Sequence, residues 1–166
     1  MQGVYAGCAR THADAQLERG MQYLTATGSR RGQGYMHAWR ALALAHLGRY
    51  EEARQQAETA RERCRITGEI VHLPWGAHAR GVTELLDLNA APEAAERWFL
   101  IAVCKAHSQG NRWMELRAAN SLARLWQSRG RQREAYDLLA PIYNWFTEGF
   151  DTKDLKQAKA LLDDVS

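Results

Sequence analysis

Alanines 53, 95 and 135 stand near the start of three successive helical segments, 42 and 40 residues apart. Each follows a break in the apolar pattern, at Gly48-Arg49, at Asn89 to Pro92 and at Gly130. Before each break runs a segment whose apolar residues recur every three or four positions, the spacing of one helix face. A helical hairpin that returns with such a period cannot bury its apolar side alone, so neighbours must stack. This recurrence confines the chain to an all-α class, a right-handed α-α superhelix or solenoid. It predicts one domain over 1–166, with a leading helix at 11–27, hairpins at 33–68, 70–109 and 112–149, and a capping helix at 151–164.

Individual residues sharpen these expectations. Thr11 reads as the N-cap of the leading helix, with Ala13, Leu17, Met21 and Leu24 on one face and Gly28 as its stop. Trp39, Leu42, Ala43 and Leu47 are the expected apolar face of the next helix, answered by Ala53, Ala57, Ala60 and Cys64, with Gly68 closing the hairpin. In the second hairpin Val82, Leu85 and Leu86 play that part, and Pro92 falls where a first-turn proline is tolerated. The run Trp98 to Cys104 is apolar nearly all round, which predicts the most buried helix. Leu116, Ala119, Leu122, Ala123 and Trp126 mark the third hairpin.

The aromatic stretch LAPIYNWFTEGFDTKDL reads as packing at the end of the array. Leu138, Leu139, Ile142 and Phe146 form an inner face, Pro141 introduces a kink, and Gly149 ends the helix. Asp151 then caps a final helix with Asp154 in the capping-box position, and Phe150 and Leu155 form a hydrophobic staple. Leu155, Ala158, Leu161 and Leu162 give that helix an apolar side, while Lys153, Lys156 and Lys159 face water.

Composition excludes several classes. The net charge is only +3 and the arginines are interspersed with acids, which argues against nucleic acid as the partner. No apolar run is long enough for a membrane span and no signal pattern opens the chain, so a cytoplasmic location is expected. Cys8, Cys64 and Cys104 are odd in number and unpaired in spacing, as reduced thiols are. The connector GSRRGQG lacks the Gly-Lys-Ser/Thr of a phosphate loop. Cys104 and His107 form half a metal site with no other half at suitable spacing, the serines lack a nucleophile-elbow context, and Glu51-Glu52 and Asp163-Asp164 read as exposed helix ends. No catalytic residue, cofactor or metal is therefore expected.

Geometry supplies the functional candidate. First helices of stacked hairpins line a concave groove, and their polar residues facing away from the partner helix should point into it. These are Tyr35 and His46, then Arg80, Glu84 and Asp87, then Arg117, Asn120, Arg124 and Gln127. The last four step by three or four along one face, a row suited to an extended peptide or a carboxylate. The leading helix has no hairpin upstream to cover its outer edge, which predicts a homodimer through that edge or an upstream extension of the array.

The third hairpin shows Ala119-x2-Leu122-Ala123-x2-Trp126 and then Ala135-x3-Leu139; the second shows Val82-Thr83-x2-Leu86 and Ala95-x3-Phe99. The first matches at Ala41, Leu44 and Ala53-x3-Ala57, with Arg40 where leucine is usual. These units resemble tetratricopeptide repeats in a divergent form, with a period longer than the usual stretch of about 34 residues. The segment from Glu115 to Val165 is similar to the closing part of large bacterial signalling proteins in which a class III adenylate cyclase or winged-helix domain precedes an AAA-type ATPase and helical repeats. The cyclase and ATPase motifs are absent from these residues, so the resemblance implies only the role of the repeat region. The expectation is a non-catalytic protein–protein interaction or sensory module of a bacterial signalling or transcription-regulatory system, with a protein or peptide partner. The alternatives are a small-ligand sensor domain of a transcriptional regulator and a nucleic-acid-binding solenoid.

Overall fold

The computed structural model of the chain describes residues 2–164, and of residues 2–11 and 13 it describes the backbone alone. Among these residues the chain is all-helical, with eight α-helices, one 3-10 turn and no strand. The helices are α1 (Gln2–Ala26), α2 (Gln33–His46), α3 (Tyr50–Thr67), α4 (Leu73–Leu86), α5 (Ala94–Ser108), α6 (Arg112–Ser128), α7 (Gln132–Tyr143) and α8 (Lys153–Asp163), with the 3-10 turn at Ile70–His72. No helix among the described residues is long and apolar enough to cross a membrane. The chain divides into two compact units, residues 1–98 and 99–166, and the division falls inside α5.

Turn chemistry explains why the pairs form. At the end of α2, Gly48 adopts φ 77°, a left-handed conformation that a side chain would strain. Its N–H bonds to the Ala45 carbonyl at 3.1 Å, and the Arg49 N–H reaches back to Leu44 at 3.0 Å. Two carbonyls left over at the helix end are thereby satisfied. The same two bonds close α6, where Gly130 bonds to Gln127 and Arg131 to Trp126. The residue after each glycine then starts the next helix in a matching way. Arg49 grips Glu52 at 2.6 and 2.7 Å, and Arg131 grips Glu134 at 2.7 and 2.8 Å. The sequence G-R-x-x-E-A, at Gly48 to Ala53 and Gly130 to Ala135, is thus a structural unit.

In the first unit, α2, α3 and α4 pack on one another, and α1 lies against α2. The contact is made mostly of small residues: Ala41, Ala57 and Ala79 form one cluster with Leu42 against it, and Leu44, Ala45 and Ala53 form another with Leu86. Glycines let the backbones close. A Cβ at Gly34 would lie 2.4 Å from the Cys64 sulfur and 2.9 Å from the Ala60 carbonyl oxygen. One at Gly76 would meet Arg61 Cγ at 2.7 Å and the Ala57 carbonyl oxygen at 3.1 Å.

This close approach rotates the expected faces. The buried side of α2 is Ala38, Ala41, Leu44 and Ala45, while Trp39, Leu42, Ala43 and Leu47 are half-buried. On α4 the buried side includes Ala77, Ala79, Thr83 and Glu84; Val82 and Leu86 are half-buried and Leu85 is exposed. A helix with neighbours on several sides turns its small residues inward and leaves large ones at the margin. The leading helix also starts earlier than expected. Thr11 lies within α1, not at its cap, because no proline precedes it and alanines favour continuation. Leu17, Met21 and Leu24 are half-buried, and the environments of Cys8 and Ala13 lie outside the described side chains.

The second unit buries Phe99, Ala102 and Ala106 of α5, Met114, Leu116, Ala119, Leu122 and Ala123 of α6, Ala135, Leu139 and Ile142 of α7, and Leu155, Ala158 and Leu161 of α8. α5 is not apolar-buried all round, since Leu100 and Ile101 are each 38% exposed and Cys104 is exposed. α7 ends at Tyr143, well before Gly149. Pro141 has no N–H to offer the preceding turn, and the helix runs only two residues past it. α8 is capped by Thr152, not Asp151, so Asp154 falls at the second helical position and makes no capping box. Phe150 consequently pairs with Tyr143, ring centroids 5.8 Å apart, instead of stapling Leu155.

Candidate functional site

The described side chains form four constellations, two in each unit. The first is a plate of rings on α2 and the start of α4. Tyr35 stands edge-on to Trp39 and Trp75 at centroid distances of 6.0 and 5.1 Å, His72 lies 5.2 Å from Tyr35, and Trp39 and Trp75 are 5.5 Å apart. All four are half-buried, so the rings pack on one another while keeping a face open. Glu69 fixes the entry to α2 beside them, its carboxylate accepting the Gly32 N–H at 3.0 and 3.2 Å. His46, the other expected groove residue of α2, is exposed at the helix end.

The second constellation takes in Arg80, Glu84 and Asp87. Glu84 is buried, and both its oxygens are engaged: Arg54 reaches them at 3.2 and 3.0 Å, and Arg80 bonds Oε1 as well. Arg54 also bonds Asp87 at 2.5 Å. Burial alone would raise the Glu84 carboxyl, but Arg54 and Arg80 outweigh it and hold the group below its ordinary value. Asp87 is held low by Arg54 and by the Asn89 N–H. The Trp98 indole carries two guanidiniums over its ring, Arg61 at 4.8 Å and Arg80 at 5.5 Å. Three expected groove residues therefore act together as an internal tie between α3 and α4, through Arg54, which sequence reasoning had not singled out.

The third constellation is the α6 row. Arg117 bonds the Asp154 carboxylate at 2.6 and 3.1 Å, Asn120 donates to the Asp154 backbone carbonyl at 2.8 Å, and Gln127 donates to the Leu161 carbonyl at 2.7 Å. Three of the four residues of the row thus bond backbone carbonyls and one carboxylate of the chain's own α8. Arg124 is exposed and makes no ion pair among the described residues.

The fourth is a cleft of about 590 Å³ between α5, α6 and α7. Glu115, buried, accepts from His107 Nδ1 at 2.7 Å and from Arg112 at 2.8 Å. Arg112 lies 5.6 Å from the Trp145 ring centre, and Val103, Pro141 and Ile142 supply apolar wall. His107 thus meets a carboxylate eight residues along the chain, which its spacing to Cys104 did not suggest. A glutamate between buried Met114 and Leu116 was the available signal. No group of three or more His, Cys, Asp or Glu suited to a metal occurs among the described residues.

No protein-family model matches the sequence, and no curated protein matches it.

Proposed function

We propose that the chain is a non-catalytic protein-binding module whose first unit holds a peptide or helix on the ring plate. The observation that carries this reading is the half-open cluster of Tyr35, Trp39, Trp75 and His72, whose rings pack on one another. Rigid Trp and Tyr anchors give large contact area at low entropic cost and dominate binding energy at interfaces. The arginines favour a protein partner over nucleic acid, because so many are paired within one helical turn, as Arg61 with Glu58, Arg65 with Glu62 and Arg133 with Asp137. The recurrent G-R-x-x-E-A turn supports reading the helix pairs as tetratricopeptide-like repeats in a superhelix, and the similarity of the last third to bacterial signalling proteins supports a cytoplasmic signalling or regulatory role.

The test is affinity enrichment from the source cells with the wild-type chain, with Trp39→Ala/Trp75→Ala and with the control Arg133→Ala. The expected result is a set of proteins kept by wild type and control and lost by the double variant, whose circular dichroism is unchanged. The same set on all three would remove the plate from the proposal. A second reading, a small-ligand sensor, is favoured by the cleft beside Glu115, whose volume and mix of apolar wall with oriented polar groups suit a small molecule.

A further inference from the structure

α8 is held by the second unit in a way that separates it from a simple end cap. Two of the polar attachments of α8, from Asn120 and Gln127, go to backbone carbonyls, so they read a helix and not a particular side chain. Gln127 takes the Leu161 carbonyl in the last turn, where helix carbonyls begin to run out of donors. A further attachment, Arg117 to Asp154, reads one acidic group at the start of the helix. Beneath them Leu155, Ala158 and Leu161 fill the apolar contact, one, four and seven positions after the acid.

The fit is incomplete. Asn120 is 3% exposed and gives its N–H to α8, but its side-chain oxygen, also buried, has no hydrogen-bond partner among the described residues. A buried acceptor left unanswered costs free energy that a better-matched helix would recover. α8 is also short, 11 residues, and helices below roughly 12–15 residues do not persist alone in water. Its helical state is therefore coupled to docking. The connector 144–152 that tethers it is largely exposed, with Trp145 at 56% and Phe150 at 45%.

We propose that the α6 face formed by Arg117, Asn120 and Gln127 is an exchangeable helix-docking site. α8 fills it in cis, and its occupant in trans is an amphipathic helix with an acidic residue in the first turn and apolar residues one, four and seven positions later. This site lies in the second unit and involves none of the ring-plate residues, so it stands or falls separately from them.

A fluorescent peptide with the sequence DTKDLKQAKALLDD, residues 151–164, tests it by anisotropy against the full chain. Loosening the cis helix with Leu161→Ala in the chain should tighten peptide binding at least about tenfold, because the competent site becomes more populated. Adding Arg117→Asp should abolish that binding, and a peptide with Asp154→Arg should restore it. In the wild-type chain, α8 amides should exchange hydrogen at least about tenfold faster than those of α6. The proposal is overturned if the Leu161→Ala chain keeps its helical signal and binds no peptide, or if Arg117→Asp leaves binding unchanged. It also falls if Leu161→Ala unfolds the chain, or if α8 and α6 amides exchange together, since α8 would then be an inseparable part of the core.

Discussion

Glu84 shows how a single buried charge can be kept. Arg54 and Arg80 approach it from two helices, and Asp87 shares Arg54, so the carboxylate stays ionised despite burial. A folded-state pKa held below the unfolded value means that the contribution is present at neutral pH and is lost as pH falls below the ordinary carboxyl range near 4. Glu84→Gln should therefore cost about 1–3 kcal/mol at pH 7 and make the acid limb of the stability curve shallower. Denaturant midpoints at pH 7 and across the acid range check both, and an unchanged acid limb would show that Glu84 carries none of it. From sequence, Arg80, Glu84 and Asp87 were expected to face an open groove, and the structure gathers them into an internal ion network with Arg54. Arg54, the partner of Glu84 and Asp87, lies 30 and 33 residues before them, and nothing local announces a pairing at that separation. Asp154 was misread for the same reason, since its capping-box spacing is a local cue and its partner Arg117 is 37 positions away.

At the scale of helices, the seam between α2 and α3 depends on Gly34, where the first new atom would meet Cys64 sulfur and the Ala60 carbonyl. Gly34→Ala should destabilise by about 1–3 kcal/mol, although alanine is the better helix former, because the backbones must separate. Chemical denaturation of the variant measures it, and a neutral or stabilising result would mean that the α2–α3 seam has room for a methyl group. Much of this layout was legible in the sequence. Glycine stops and the alanine recurrence placed both helices of the first hairpin and α6 to within a few residues. Which side of each helix turns inward was harder to read. Periodicity weights large apolar residues, but contact this close selects small ones, so Trp39 and Leu85 were assigned inward and lie at the margin. The early end of α7 was foreshadowed by Pro141, yet a kink and a stop share one signature.

The whole molecule contains two compact units, and a cysteine of each reports on it. Cys64 is buried in the first unit, and burial, with Glu69 nearby, pushes its thiol up to about 11, whereas Cys104 in the second is exposed. In a Cys8→Ser background at pH 8, one thiol should react with a maleimide at once. The other should react on the order of a hundredfold more slowly, at the rate at which the α2–α3 seam opens. Mass spectrometry of the labelled peptides assigns the two, and equal rates would mean that the seam is open in solution. That seam has one more consequence. Its contact residues Ala41, Ala45, Ala53, Ala57 and Ala60 are already the residue to which a scanning experiment would change them. An alanine scan would pass over these positions and would report only the larger side chains around them, such as Leu44, with the ring plate and the ion network. A map of this protein's stability has to be drawn by adding atoms, with serine or valine at each alanine.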